Sequence, residues 1–419
     1  MRRAVVTGLG FVTSIGNGKT EVSESLRLLR HGFEPVEFLG NPRIPVKVAG
    51  TVKGFSVGSP NWRDWQYPSR YRYEPETLRS LSPHGLFALC ACDQALEDAR
   101  LLAADLGDGR TGLFCASAGS PFLLCHHLKQ MEAARGERGS PMGMVASIAG
   151  TLNFNLASFF HIRGAVCGFV SACASSSHAL GYAADEIRLG RQDRMLVVGA
   201  EEVFAENVLP FAAMRALSPS ADPGTASRPF DLRRDGFVAT GGAAALVVEE
   251  AGTARARGAP IYAEISGWGQ AGDGHNVTAS HPEGAGLAEA MRRALADAGI
   301  APGQVDYVSA HATSTVVGDR SEALALKSVF GAARPAISST KALTGHALSM
   351  AGALEAAFCA LALAEEYVPG CAHLEQPDPA CEGLNLPRAS AEGRPQVVLN
   401  NSSGFGGSNV CHVLRRVAD

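Results

Sequence analysis

The 419-residue sequence predicts an α/β protein of two related halves, with mainly parallel sheets covered by helices. Three observations predict it. The chain is longer than a single hydrophobic core usually grows, so two packed units are expected. Apolar runs of strand length alternate with runs of helical spacing along the whole chain. Finally, the start Val5-Val6-Thr7-Gly8-Leu9-Gly10 is echoed by Ala263-Glu264-Ile265-Ser266-Gly267-Trp268-Gly269, a strand running into Gly-x-Gly each time. The polar stretch 252–258 is the expected join, dividing residues 1–255 from 256–419.

Composition narrows the class. A hydrophobic content of 46% with 19% charged residues describes a globular protein with a large core. The net charge of −4 argues against nucleic acid as a partner, while leaving room for a basic patch that docks an acidic one. None of the 10 cysteines forms a C-x-x-C pair and several lie in apolar runs, which fits reduced thiols in the cytoplasm. Cys125-His126-His127 lacks partner ligands at zinc spacing and reads as helix surface, so no metal is expected. The best candidate for a membrane span, 347–364, carries Glu355 in its middle, so no membrane is expected. Residues 7–10 interrupt the first apolar run too soon for a signal peptide.

Taken in order, residues 4–10 form a first strand. It is not a dinucleotide fingerprint, because Thr13 stands where the third glycine belongs. Residues 40–80 are rich in Pro, Trp, Tyr and Arg and read as a surface excursion rimming an entrance. A helix near 84–99 and a strand near 111–116 follow. Residues 165–170 then read as a buried strand leading into Ser171-Ala172-Cys173-Ala174-Ser175-Ser176-Ser177-His178. Leu180, Ala183 and Ile187 recur at helical spacing until Gly190, and 195–198 is a further strand. Cys173 therefore sits at a strand-to-helix turn. There the free N–H groups and the helix dipole favour the nucleophilic thiolate. From this segment alone, an inert core cysteine is an equal reading.

The second half supplies the bases. Asp306-Tyr307-Val308-Ser309-Ala310 leads into His311, and Asp319 with Glu322 resembles a capping box opening the next helix. Ala336-Ile337-Ser338-Ser339-Thr340 leads through Lys341 to His346, where an Ala-rich helix begins. Parallel strands gather their chain ends on one face of a sheet, so Cys173, His311 and His346 are expected to converge. Each histidine alone reads as structural; the pair points to enolate stabilisation or proton transfer. Glu355 in an apolar helix needs a partner, Lys341 or a bound cation, in an electrostatic supporting role. Near the end, Gly404-Phe405-Gly406-Gly407 is either a plain hairpin loop or a mobile backbone with Phe405 as its plug.

Together these residues resemble the β-ketoacyl-acyl carrier protein synthases, in the synthase I and II branch of the thiolase-fold condensing enzymes. The likeness runs from Arg3 to Asn409. It includes Ser227-Arg228-Pro229-Phe230-Asp231 and Arg234-Asp235-Gly236-Phe237. It implies a layered α-β-α-β-α thiolase-like fold and a decarboxylative condensation that needs no cofactor. Cys173 would carry the acyl chain, and His311 and His346 would stabilise the enolate formed from malonyl carrier. The N–H groups of Cys173 and Phe405 would form the oxyanion hole. Phe405 would gate the acyl tunnel, together with Gly404, Gly406, Gly407 and the loop holding Asp273 and Thr278. Gly119, Phe211 and Ser403 would shape the acyl pocket, and Arg215 would contact the acidic carrier protein. The likeness also implies a dimer, with itself or with a related subunit.

The sequence departs from the family pattern at Ala312 and at Thr240-Gly241-Gly242-Ala243-Ala244. It departs again at Gly119 and Ser403, where bulkier side chains are usual. The small residues at 119 and 403 suggest a reshaped cavity and a specialised fatty-acid or polyketide product, polyene-like or aromatic-primed. The alternatives are housekeeping elongation and a non-catalytic chain-length partner; the latter lacks the nucleophile present here.

Overall fold

The structure, a computed structural model, describes residues 2–417. Its core is ten hydrogen-bonded strands: β1 (Ala4–Val12), β2 (Thr111–Ala116), β3 (Val166–Phe169), β4 (Arg194–Glu201), β5 (Gly242–Glu250), β6 (Ala263–Gly272), β7 (Tyr307–Ser309), β8 (Ala336–Ser338), β9 (Val397–Gly404) and β10 (Ser408–Arg415). Their order is β8-β7-β9-β10-β6-β1-β5-β4-β2-β3. Within each half, numbering strands by appearance, the order is 3-2-4-5-1, so the second half repeats the topology of the first. The two units join edge to edge where β1 meets β6 antiparallel, Ala4 opposite Ile265.

The sheets are mixed, which corrects the expectation of mainly parallel pairing. In the first half β2 runs parallel to β3 and β4, whereas β4–β5 and β5–β1 are antiparallel. In the second, β7 runs parallel to β8 and β9, whereas β9–β10 and β10–β6 are antiparallel. The short turn Phe405–Gly407 between β9 and β10 permits only an antiparallel hairpin.

Five helices complete the layers: α1 (Pro83–Asp98), α2 (Ser175–Arg188), α3 (Ala285–Asp297), α4 (Val316–Phe330) and α5 (Ala351–Glu365). Helix α1 covers the outer face of β1, β5 and β4, and α3 covers β6, β10 and β9, with α4 packed on α3. Helices α2 and α5 touch strands of both halves and form the middle layer. That position explains why α5 is apolar on every side and buried from Ala351 to Leu363. It begins after Leu348–Met350, five residues later than His346.

The repeated Gly-x-Gly has a packing cause. A Cβ at Gly10 would stand 1.8 Å from the Ala91 carbonyl oxygen, and one at Gly269 would stand 2.5 Å from that of Ala290. Each half thus seats its outer helix directly on strand backbone.

Three further expectations change. β3 is an exposed edge, with Val166 42% and the following Val170 79% accessible, because no strand among the described residues pairs with its outer side. Residues 40–80 run largely over the surface as expected, but none of them borders the cavity that holds Cys173, and Trp65, Tyr71 and Leu78 anchor the segment in the core beside α1. Part of the expected join, Ala251–Ala256, is helical, with the Glu250 side chain capping Thr253 N–H.

Candidate active site

The turn after β3 carries Cys173, and the α2 helix that begins at Ser175 fixes its direction. Ala172 adopts φ 51°, a left-handed conformation unusual for a residue with a Cβ, and the chain reverses there. Ser175 Oγ braces the turn, accepting from Ser171 N–H at 2.9 Å and donating to the Ala172 carbonyl at 2.6 Å. Gly190, at φ 72°, ends the helix as the sequence predicts.

His346 reaches Cys173 from the other half: its Nε2 lies 3.1 Å from Cys173 Sγ. Its backbone is pinned by the segment before β5. His346 N–H donates to the Val238 carbonyl at 2.7 Å, and the Phe237 ring stands edge-on to the imidazole at 5.2 Å between centroids. His311 stands 5.2 Å from His346, ring edge to ring face. All three side chains border one cavity of about 280 Å³, with Phe211, Phe237, Thr278, Ser403, Gly404, Phe405 and Gly407.

Burial dominates the electrostatics. It pushes the Cys173 thiol up to about 12, despite Lys341 nearby and the N–H groups of Phe405 and Cys173 that favour the thiolate. Burial thus works against the thiolate expected at the helix end, and Cys173 faces an imidazole. Desolvation outweighs the partial charge of the helix terminus. Burial, then Lys341, holds both His311 and His346 well below the ordinary histidine range, so both rings are neutral.

Lys341 and Glu355 pair directly, both almost fully buried, beneath the site. Burial still holds Glu355 up near 7. Asp319 and Glu322 do not cap α4. Its N-cap is Thr315, and both carboxylates turn inward, where backbone N–H groups other than their own helix's need acceptors. Glu322 accepts from His311 N–H at 3.0 Å, Ala312 N–H and Asn401 Nδ2, and so sets the loop that aims His311. Asp319 accepts from Phe230 N–H at 2.8 Å. Arg234 binds the carbonyls of Thr315 and Val316. The motifs 227–231 and 234–237 thus brace the histidine loops without lining the cavity, Phe237 excepted.

The glycine loop closes the site. A Cβ on Gly404 would lie 2.6 Å from the Ser171 carbonyl oxygen, so strand β9 touches the turn that carries Cys173. Phe405 is 39% exposed, and its ring centroid lies 6.2 Å from that of Phe211. Gly406 and Gly407 have φ of 78° and 73°. Gly407 accepts from Asp273 N–H at 2.8 Å, and Gly406 N–H donates to Val277 at 2.7 Å, so the two loops are coupled. Ser403 Oγ donates to Asn409 Oδ1. Arg215, at the end of the helix Ala205–Ala213, is exposed beside Met214 and Ala216, which border the cavity.

Gly119 is not brought in. It is absent from the cavity wall, and its φ of 83° packs it against the backbone of Ser147 and Ala149. Its smallness is a backbone requirement and leaves the cavity unchanged. Cys125-His126-His127 lie on the helix Pro121–Ala133, and no metal-ligating cluster occurs among the described residues.

Sequence reading missed Glu201. It is fully buried at the end of β4, and Ala118 N–H and Ser349 Oγ donate to it. Burial lifts it to about 7, and its charge opposes the thiolate at Cys173. The one available signal was a carboxylate closing an apolar strand. Nor does the 234–237 motif indicate in sequence that the Phe237 ring stands against His346.

Two family models match the chain. "Beta-ketoacyl synthase, N-terminal domain" matches residues 1–254, and "Beta-ketoacyl synthase, C-terminal domain" matches 262–375. A 3-oxoacyl-[acyl-carrier-protein] synthase 1 from Haemophilus influenzae is 39% identical over 99% of both chains. The ishigamide ketosynthase/chain length factor superposes with TM-score 0.90 at 32% identity, each chain covered in full. The AntDE:AntF complex, a type II PKS acyl-carrier protein with its ketosynthase bound to the hexaketide, gives 0.87 at 29%, again with full coverage. The chain belongs to the β-ketoacyl synthase family.

Proposed function

We propose that this protein joins an acyl chain held on Cys173 to malonyl-acyl carrier protein, with loss of carbon dioxide, giving a β-ketoacyl carrier product. The observation that carries the reading is the contact of Cys173 Sγ with His346 Nε2 at 3.1 Å, beside a second neutral imidazole in one cavity. Sulfur attacks the thioester carbonyl as its proton passes to His346, and the carrier thiol leaves with that proton. The N–H groups of Cys173 and Phe405, which face Sγ, hold the oxyanion. Malonyl carrier then enters, and its carboxylate leaves as carbon dioxide. The enolate is held by hydrogen bonds from His311 and His346, and its carbon displaces Cys173 from the acyl group. The thiolate released is reprotonated through His346 by a proton taken up from solvent, which the loss of carbon dioxide from the carboxylate requires. The sequence is redox-neutral and calls for no cofactor.

Lys341 and Glu355 support this electrostatically. Phe405 gates the cavity, with Gly404, Gly406 and Gly407 bending beside Asp273 and Thr278. Phe211 and Ser403 line the acyl end, and Arg215 receives the carrier. The Cys173–His346 contact favours a catalytic subunit over a non-catalytic chain-length partner.

The product belongs to a specialised fatty-acid or polyketide pathway on this reading. Its supports are the small Ser403 at the cavity wall and the likeness to the ishigamide ketosynthase/chain length factor. Housekeeping elongation remains the second reading, favoured by the Haemophilus relative's name. A panel of acyl primers with malonyl carrier, read by mass spectrometry of carrier-bound products, separates the two. Saturated medium-chain primers as the best substrates would overturn specialisation.

The exposed apolar edge β3 supports a dimer through that strand, with a second copy or a related subunit. Ten cysteines without disulfides support the cytoplasm, and the long apolar segment Leu348–Glu365 is buried within the fold. The division at 255/256 falls between β5 and β6. Replacing Cys173 with Ala removes the acyl adduct seen by intact-mass measurement; an adduct retained on the variant would refute the assignment.

A further inference from the structure

The turn that carries Cys173 is tied to the opposite half by a chain of side chains that the chemistry above does not use. Ser171 Oγ lies 2.8 Å from His178 Nδ1, one helical turn inside α2. His178 Nε2 lies 2.9 Å from Gln270 Oε1 on β6, and Gln270 Nε2 donates to Tyr182 Oη at 3.0 Å. His178 Nδ1 also lies 3.2 Å from the Ala174 carbonyl, so the ring is held on both nitrogens, by Ser171 and Ala174 on one side and Gln270 on the other. Burial lowers His178 below the ordinary histidine range and keeps the ring neutral.

Ser171 is placed where its position matters most. It precedes the left-handed Ala172, whose conformation persists only under constraint. Its carbonyl faces Gly404 closely enough that a Cβ there would come within 2.6 Å. A shift of Ser171 therefore moves the Cys173 N–H directly and the Gly404–Phe405 peptide by contact.

We infer that His178, acting through Ser171, is a positioning residue that sets the oxyanion hole for acyl transfer from the carrier to Cys173. The inference rests on the reading of Cys173 as nucleophile and extends it to groups that touch no substrate.

Two chemistries at the same sulfur separate this role from a structural one. Acylation by acyl carrier develops an oxyanion, whereas alkylation by iodoacetamide does not. Ser171→Ala and His178→Leu should each slow Cys173 acylation about ten-fold or more, while alkylation changes less than about two-fold. The double variant should lose no more than either single one, because both act on one link. His178→Asn, whose side-chain amide can replace Nδ1 as the hydrogen-bond partner of Ser171, should recover most of the acylation rate. Acylation at the wild-type rate in both single variants would overturn the role. So would losses that multiply in the double variant, or alkylation falling in step with acylation. Absence of an acyl adduct on the wild-type enzyme overturns the nucleophile assignment instead.

Discussion

Gly404→Ala tests the oxyanion hole with a single added carbon. Gly404 has φ −118° and ψ 161°, ordinary extended backbone, so alanine brings no conformational penalty and any effect arises from contact. The new Cβ would lie 2.6 Å from the Ser171 oxygen, 3.1 Å from Cys173 N and 3.2 Å from Ala174 N. Ordinary contact begins at 3.4 Å, so β9 and the nucleophile turn must separate by about 0.8 Å. The Phe405 N–H sits one residue further on and moves with the strand, while the Cys173 N–H moves with the turn. Losing the alignment of one such donor costs about 3 kcal/mol in the transition state, roughly a hundred-fold in rate. The core penalty of overpacking, about 1–3 kcal/mol, is compatible with a folded enzyme. Rapid-quench acylation by acyl carrier, followed by intact mass, should show that loss, with iodoacetamide labelling of Cys173 within about three-fold of wild type. Acylation within about three-fold of wild type would refute the placement of the hole between these two N–H groups.

Further expectations follow from the same electrostatics. With Cys173 pushed up to about 12, its alkylation rate should keep rising through pH 8–10; a plateau below pH 8 would reveal a thiolate and refute the burial argument. Glu201 is raised from 4.5 to about 7, so the folded state favours its neutral form, and its contribution to stability declines as pH rises through that window. Glu201→Gln should therefore stabilise the protein at pH 8 by about 1–3 kcal/mol, leave it little changed at pH 5 and speed Cys173 alkylation. Equal melting shifts at both pH values would contradict this. Arg215→Glu should raise KM for acyl carrier several-fold at low salt, with the difference shrinking at high salt and iodoacetamide labelling unchanged. An unchanged KM would place carrier docking elsewhere.

Much of the fold was legible because it depends on local pattern. The strand at 111–116, the α1 helix and the stop at Gly190 follow from periodicity, capping and glycine. The echo of Gly-x-Gly marks a real repeat, since both glycine pairs seat an outer helix on backbone. The residues Cys173, His311 and His346 were legible for a related reason: each ends a strand-like run, and strand ends share a face. Asp319 and Glu322 were misread because capping spacing is also the spacing of two carboxylates on one helical face. Only the neighbouring loop at 310–312 shows which way they turn. Residues 165–170 read as buried because apolar composition cannot distinguish a covered strand from an edge.

The sequence by itself determined the alternation of elements, the repeat and the three side chains, Cys173, His311 and His346, that meet in one cavity. These are written in periodicity and residue type. Tertiary structure alone decided the mixed strand directions, the burial of the thiol and the alignment of its partners. Those depend on what lies across space: Glu201 from β4, Lys341 beneath α5, Gly404 against Ser171. Desolvation and contact act between residues far apart in the chain, and no local pattern encodes them.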